Sequence, residues 1–116
     1  MWIKNTRTKK EISHHMTAFD RMVENNLKGM ELEKANNINA AIRLYEENVS
    51  SCFEGNHPYD RLAIIYRKRK DYDNEIRVLE AAISVFSEIK SPRQDVKPKL
   101  AKFKVRLSKA KELKNK

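Results

Sequence analysis

Chain breakers are scarce in this sequence, with 2 glycines and 3 prolines among 116 residues. In a chain that is 35% charged, that scarcity argues against strands joined by tight turns and for helices with short connections. Cys52 is the sole cysteine, so no internal disulfide can form, which fits a reducing compartment. Apolar runs long enough to span a bilayer are missing, and Met1-Trp2-Ile3 gives way at once to polar and basic residues. Neither a membrane span nor a signal peptide is expected, and the expected location is cytoplasmic. The length suits one domain with a modest core.

The usual marks of catalysis are missing as well. There is no glycine-rich phosphate loop and no serine–histidine–acid arrangement. His14 and His15 are adjacent, so on a helix they point about 100° apart and do not converge on one ion. No cysteine or carboxylate at ligand spacing supports them. His57, just before Pro58, reads as a helix-capping residue rather than a general base. Cys52 has no basic cluster to activate it and reads as an inert thiol at the end of an apolar helix face. Asp60, Asp71, Asp73 and Glu75 are accounted for by helix starts and turns. The expectation is no enzyme activity, no metal site and no cofactor.

What is present is an uneven charge. The net charge is +9, yet residues 1–89 hold equal numbers of basic and acidic side chains. The whole excess lies in 90–116, where 11 Lys/Arg face only Asp95 and Glu112. A neutral body therefore carries a basic C-terminal segment.

A repeat is present too. Shifted by 34 residues, Asn37–Glu46 falls on Asp71–Glu80, with Ile42/Ile76, Arg43/Arg77, Glu46/Glu80 and Ser50/Ser84 identical. Apolar periodicity divides the chain into a basic arm (1–12), helical hairpins over 13–90 and a basic last helix over 91–116. Met16, Phe19, Val23, Leu27 and Met30 form one stripe, ended near Asn36-Asn37, residues that tolerate the left-handed conformation. A second helix spans about 38–52 and buries Ala41, Ile42, Tyr45 and Val49. The third starts at Pro58, runs to about 69 and buries Leu62, Ala63, Ile65 and Tyr66. The fourth covers about 72–89. Ser91-Pro92-Arg93-Gln94 resembles a capping box, and Pro98 breaks or restarts the last helix, whose apolar line is Leu100, Phe103, Leu107 and Ala110.

Tyr59-x-x-Leu62-Ala63-x-x-Tyr66 resembles the first-helix signature of the tetratricopeptide repeat, a class whose unit has the same length as this shift. A small residue at the closest approach lets two helices pack tightly while large ones fill the gaps. Leu79 and Ala82 fit the second helix, but Glu75 stands in a small, buried slot and needs solvent or a partner. The earlier copy keeps Gly29, Leu32, Ala41 and Tyr45, whereas Asn25 and Lys28 replace the aromatic and the leucine. Pro58-Tyr59-Asp60-Arg61-Leu62-Ala63-Ile64-Ile65-Tyr66-Arg67-Lys68 also resembles small bacterial and phage proteins of this class. The resemblance covers about residues 22–89. It implies an all-α fold of two antiparallel hairpins plus a capping helix, about five helices forming an α-α superhelix.

The resemblance also implies a concave face that binds a peptide or partner protein, with Arg61, Ile64, Arg67 and Lys68 facing the groove. Arginines there could hold carboxylates of an acidic partner. The family's clamp for a C-terminal carboxylate is not expected, because Asp60 and Ile64 occupy two of its lysine and asparagine places. Val23, Leu27 and Met30 also fall on groove positions by the 34-residue register. A one-residue register shift would bury them as core, the reading that a stripe favours. Otherwise they form an apolar floor for a hydrophobic partner or for Met1-Trp2-Ile3. The alternative site is the last helix. Lys97, Lys99, Lys102, Lys104, Arg106, Lys109 and Lys111 surround its apolar line and could attract nucleic acid or another polyanion. Few aromatics are interleaved, so base stacking is not indicated. Two repeats are few for such an array, which makes self-association a further expectation.

Overall fold

A computed structural model of the chain describes residues 17–116. The arm 1–12, His14, His15 and Met16 lie outside the described residues. Five helices and no strands are found among the described residues: α1 Ala18–Lys34, α2 Ile38–Ser50, α3 His57–Lys68, α4 Tyr72–Glu88 and α5 Val96–Lys114. Each packs on the next in sequence, so the chain is a run of helical hairpins. No helix among the described residues is long and apolar enough to cross a membrane.

The boundaries follow from local chemistry. Thr17 and Asp20 form a capping box, each side chain accepting from the other's backbone N–H and satisfying donors that a helix start leaves free. At the end of α1, Asn36 takes φ 61°. Asn37 N donates to Leu32 O at 2.8 Å and Asn36 N to Glu33 O at 2.9 Å. One period later, Lys70 takes φ 58°, Asp71 N donates to Tyr66 O at 2.8 Å, and Lys70 N donates to Arg67 O at 2.9 Å. This is the same left-handed helix stop. The first helices of the two hairpins thus end alike, 34 residues apart, and α2 uses the same stop at Cys52, where Cys52 N donates to Val49 O and Phe53 N to Asn48 O.

Four local expectations are corrected. Ser91–Gln94 do not start a helix. Arg93 instead donates to Asp95 and to Glu54 O, and α5 begins at Val96 with Asp95 at its cap. Pro98 does not break α5, because it sits in the first turn, where a missing N–H removes no helix bond. His57 does not cap α3. Asn56 is the cap residue, and His57 is the first helical residue, with its ring edge-on to Tyr45 at 5.5 Å. Cys52 is exposed and holds φ 56° in the turn after α2, off the helix face that the apolar spacing suggests.

The core runs along the interior of the stack: Ala41, Tyr45 and Val49 from α2, Tyr59, Leu62, Ala63, Ile65 and Tyr66 from α3, and Val78, Leu79, Ala82 and Phe86 from α4. At the far end α5 adds Val96, Phe103 and Ala110, evenly spaced on one face. Phe103 meets Phe86 and Tyr59 edge-on at 5.2 and 6.2 Å, and Tyr59 Oη donates to Phe53 O at 2.7 Å. Quadrupole-matched edges hold α5 against α3 and α4, and the Tyr59 hydroxyl ties α3 to the turn before it.

Candidate partner-binding face

The face of α1 that meets α2 is polar. Asn25, Asn26 and Gly29 are buried there. Asn48, fully buried on α2, accepts from Asn25 Nδ2 at 3.1 Å and donates to Asn26 Oδ1 at 2.8 Å and Met22 O at 2.7 Å. A Cβ on Gly29 would lie 2.4 Å from Tyr45 Cε1, so the missing side chain is what lets the Tyr45 ring lie against α1. Once that face is committed to α2, the apolar stripe cannot be core. Leu27 is 59% exposed, Met30 41% exposed and Val23 half-buried. The reading of Val23, Leu27 and Met30 as buried by a register shift is therefore wrong for the latter two. The 34-residue register holds, and the helix turns its asparagines inward because they complete one another's hydrogen bonds. Phe19 stacks on Phe53 at 6.0 Å, outside that stripe's middle.

Glu33 joins three helices. It accepts from Tyr45 Oη of α2 at 2.6 Å and, through both oxygens, from Arg61 of α3 at 2.7 and 3.1 Å. Burial works to raise its pKa, but the Arg61 and Tyr45 hydrogen bonds and the Arg61 charge outweigh it and hold the carboxyl below its ordinary 4.5. The same contact pushes Tyr45 well up, burial first and Glu33 second. His57 borders this cluster. Burial, then the Arg61 charge, lowers its pKa from 6.5. Met30, Glu33, Lys34, His57 and Arg61 line a depression of about 310 Å³ between α1 and α3.

Of the expected groove residues on α3, Arg61 is thus held by Glu33, and Ile64 stands 43% exposed. Lys68 is exposed. Arg67 turns toward α4, its Nη2 2.7 Å from the Oε2 of buried Glu75. That is the partner Glu75 required. Both arginines are neutralised by the protein's own carboxylates. Among the described residues, the cations left free along this line are Lys34 and Lys68, one period apart. Each lies one helical turn beyond an exposed apolar side chain, Met30 or Ile64.

On α5 the basic residues divide. Lys99 pairs with Asp95, Arg106 with Asp60, and Lys109 with Glu112 at 3.4 Å. Arg93 and Lys99 hold Asp95 far below the carboxylate range. Arg106 also lies 5.8 Å over the Phe103 ring. Lys97, Lys102, Lys104 and Lys111 are exposed and have no carboxylate partner among the described residues. Ala101, Lys102, Val105 and Arg106 line a shallow cleft of about 290 Å³, and Val105 is 70% exposed.

Sequence reasoning missed Glu33, Glu46, Asn48 and the tyrosine hydroxyls. Glu46 repeats the role of Glu33 one helix further on, accepting from Tyr66 of α3 and from both Nη atoms of Arg77 of α4. The one signal in the sequence was the 34-residue overlay itself, which sets Glu46 over Glu80 and Arg43 over Arg77 without showing that Glu46 would meet Arg77 across two helices. Comparison with protein-family models, curated proteins and solved structures finds no match to this chain.

Proposed function

We propose that this protein is a tetratricopeptide-like interaction module that binds a peptide or partner protein on the face formed by α1 and α3. The observation that carries this reading is a pair of residues repeated once per hairpin. Met30 and Lys34 on α1 recur as Ile64 and Lys68 on α3, and Met30 and Ile64 are 41% and 43% exposed. A buried stripe explains neither exposed apolar residue, and a regular spacing suits an extended ligand with apolar side chains at intervals. Lysines beside them favour carboxylates on that ligand. Arg61 and Arg67 then act by stiffening the face from behind, since their charges are already engaged.

The test is selection from a displayed peptide library at low salt. Enriched sequences should combine large apolar residues with Asp or Glu, and Met30→Asp or Ile64→Asp should remove the enrichment without unfolding the protein. Enrichment that survives both substitutions would sink the proposal.

A second reading rests on Lys97, Lys102, Lys104 and Lys111, the four cations of α5 without carboxylate partners among the described residues. They could bind nucleic acid by phosphate contacts, with affinity falling steeply as salt rises. Fluorescence anisotropy with single- and double-stranded DNA decides it. Binding should vanish in a Lys102→Glu, Lys104→Glu, Lys111→Glu triple variant. Removing residues 97–116 is no substitute, because it would take Phe103 and Ala110 out of the core.

A further inference from the structure

Helices α2 to α4 have neighbours on both sides along the stack, whereas α1 and α5 each have one side left over. Those two free faces have opposite chemistry. On α5, Ala101, Val105, Ser108 and Glu112 follow a 4-3-4 spacing, which places them on one line along the helix, turned away from buried Val96, Phe103 and Ala110. Two lysine rails border that line. Lys97, Lys104 and Lys111, seven apart, run along one edge, and Lys102 and Lys109, also seven apart, along the other. Val105 stands in the middle, 70% exposed over its shallow cleft.

On α1 the same 4-3-4 spacing gives Asp20, Glu24, Leu27 and Glu31, turned away from buried Asn25 and Gly29. This line is an acidic ridge with one apolar side chain, Leu27, 59% exposed. Glu24 and Glu31 pair with no cation among the described residues, as Lys97, Lys102, Lys104 and Lys111 pair with no carboxylate.

We propose that copies of this protein associate head to tail, with the acidic ridge of α1 on one copy seated between the lysine rails of α5 on the next. Charge selects the arrangement. Two α5 helices face to face would bring lysine rails together, and two α1 ridges would bring carboxylates together, both repulsive. The unlike pairing sets Leu27 near Val105 and surrounds them with opposite charges. It also gives each end helix the neighbour that internal helices have. Because the two surfaces differ, the contact is heterologous, and it closes into a ring or continues as a filament according to the rotation per copy.

Sedimentation velocity across a concentration series at low ionic strength tests this. The average mass should rise with concentration and fall back toward monomer as salt screens the contact. Two charge-reversal variants make the assignment specific: Glu24→Lys with Glu31→Lys on α1, and Lys104→Glu with Lys111→Glu on α5. All four positions are exposed, and circular dichroism should report unchanged helix content. Each variant alone should associate at least about tenfold more weakly than the wild type, because like charges then meet. An equimolar mixture of the two should regain association, since each reversed face finds its complement on the other variant. A wild-type protein monomeric at every concentration overturns the proposal. So does a mixture that stays monomeric, or either variant associating as the wild type does. Association lost on reversing α5 but untouched by reversing α1 also overturns it, and shows that an acidic surface other than α1 is the occupant.

Discussion

Where α1 meets α2, Gly29 makes room for the Tyr45 ring, and Asn25, Asn26 and Asn48 join the helices by hydrogen bonds. One period later the same places hold Ala63, Leu79, Tyr59, Asp60 and Ala82, and the hairpin of α3 and α4 closes mainly on apolar surface. Both hairpins stop their first helix with a left-handed residue and the same two backbone bonds. One backbone frame thus accepts a polar filling or an apolar one. The polar filling has a consequence outside the core, because it turns Leu27 and Met30 to solvent.

That contrast can be broken at matched positions. The largest effect is expected from Tyr59→Ala, which empties an aromatic site in contact with Phe86 and Phe103 and should cost about 3–5 kcal/mol. Asn25→Ala, at the matching place in the first hairpin, leaves a polar partner unpaired and should cost about 1–3 kcal/mol. Urea unfolding midpoints at constant slope would measure both. Next comes the Arg67–Glu75 pair. Arg67→Met strands a buried carboxylate and should destabilise by about 2–3 kcal/mol, discounted from a fully enclosed pair because Arg67 is partly exposed. Glu75→Ala places in the second hairpin the residue that Ala41 supplies in the first, and the freed arginine can reach water. It should cost clearly less than Arg67→Met, and equal losses would show that the pair does not govern this slot.

A smaller contrast lies at the helix crossing. Gly29→Ala gains helix propensity but forces the Tyr45 ring aside, for a net loss of about 1–2 kcal/mol. Ala63→Gly should lose about 1–2 kcal/mol, from helix propensity together with one buried methyl. The smallest effect is on pH dependence. His57 is held below 6.5 in the folded protein, so the unfolded chain takes up this proton more readily. Stability should therefore fall as pH drops from 6.5 through the folded value, and level off below it. Glu33, held below 4.5, adds a separate loss only as pH falls from 4.5 through its own folded value. His57→Val, which installs the residue that stands at 23, should flatten the first decline and leave the second. Denaturation midpoints between about pH 8 and 3 would separate the two.

Much of this frame was legible in the sequence because it rests on local chemistry. The helix limits came close at most ends, since Asn36, Lys70 and Pro58 act through their own backbones. The buried residues of α2 and α3 were legible because their apolar spacing and their packing agree. In α1 the two disagree. The apolar stripe is the stronger periodic signal, and only the fit of Gly29 to Tyr45 and of three asparagines to one another decides which face turns inward. Those contacts join separate helices, and no local pattern contains them. The groove arginines mislead for a related reason. Arg61 and Arg67 are conspicuous in sequence, but their carboxylates, Glu33 and Glu75, stand on other helices.

Glu33 and Glu46 bear on how the chain comes apart. Glu33 draws α1, α2 and α3 to one carboxylate, and Glu46 draws α2, α3 and α4 to another, so the two sets overlap in α2 and α3. In a simple stack each unit leans only on its neighbour, and the ends can peel away singly. Here the overlap couples the hairpins. Opening the first one strands Arg61 on the second, and opening the second removes the cations that Glu33 and Glu46 depend on. The polar first hairpin is thereby tied to the cooperative unit of the apolar one.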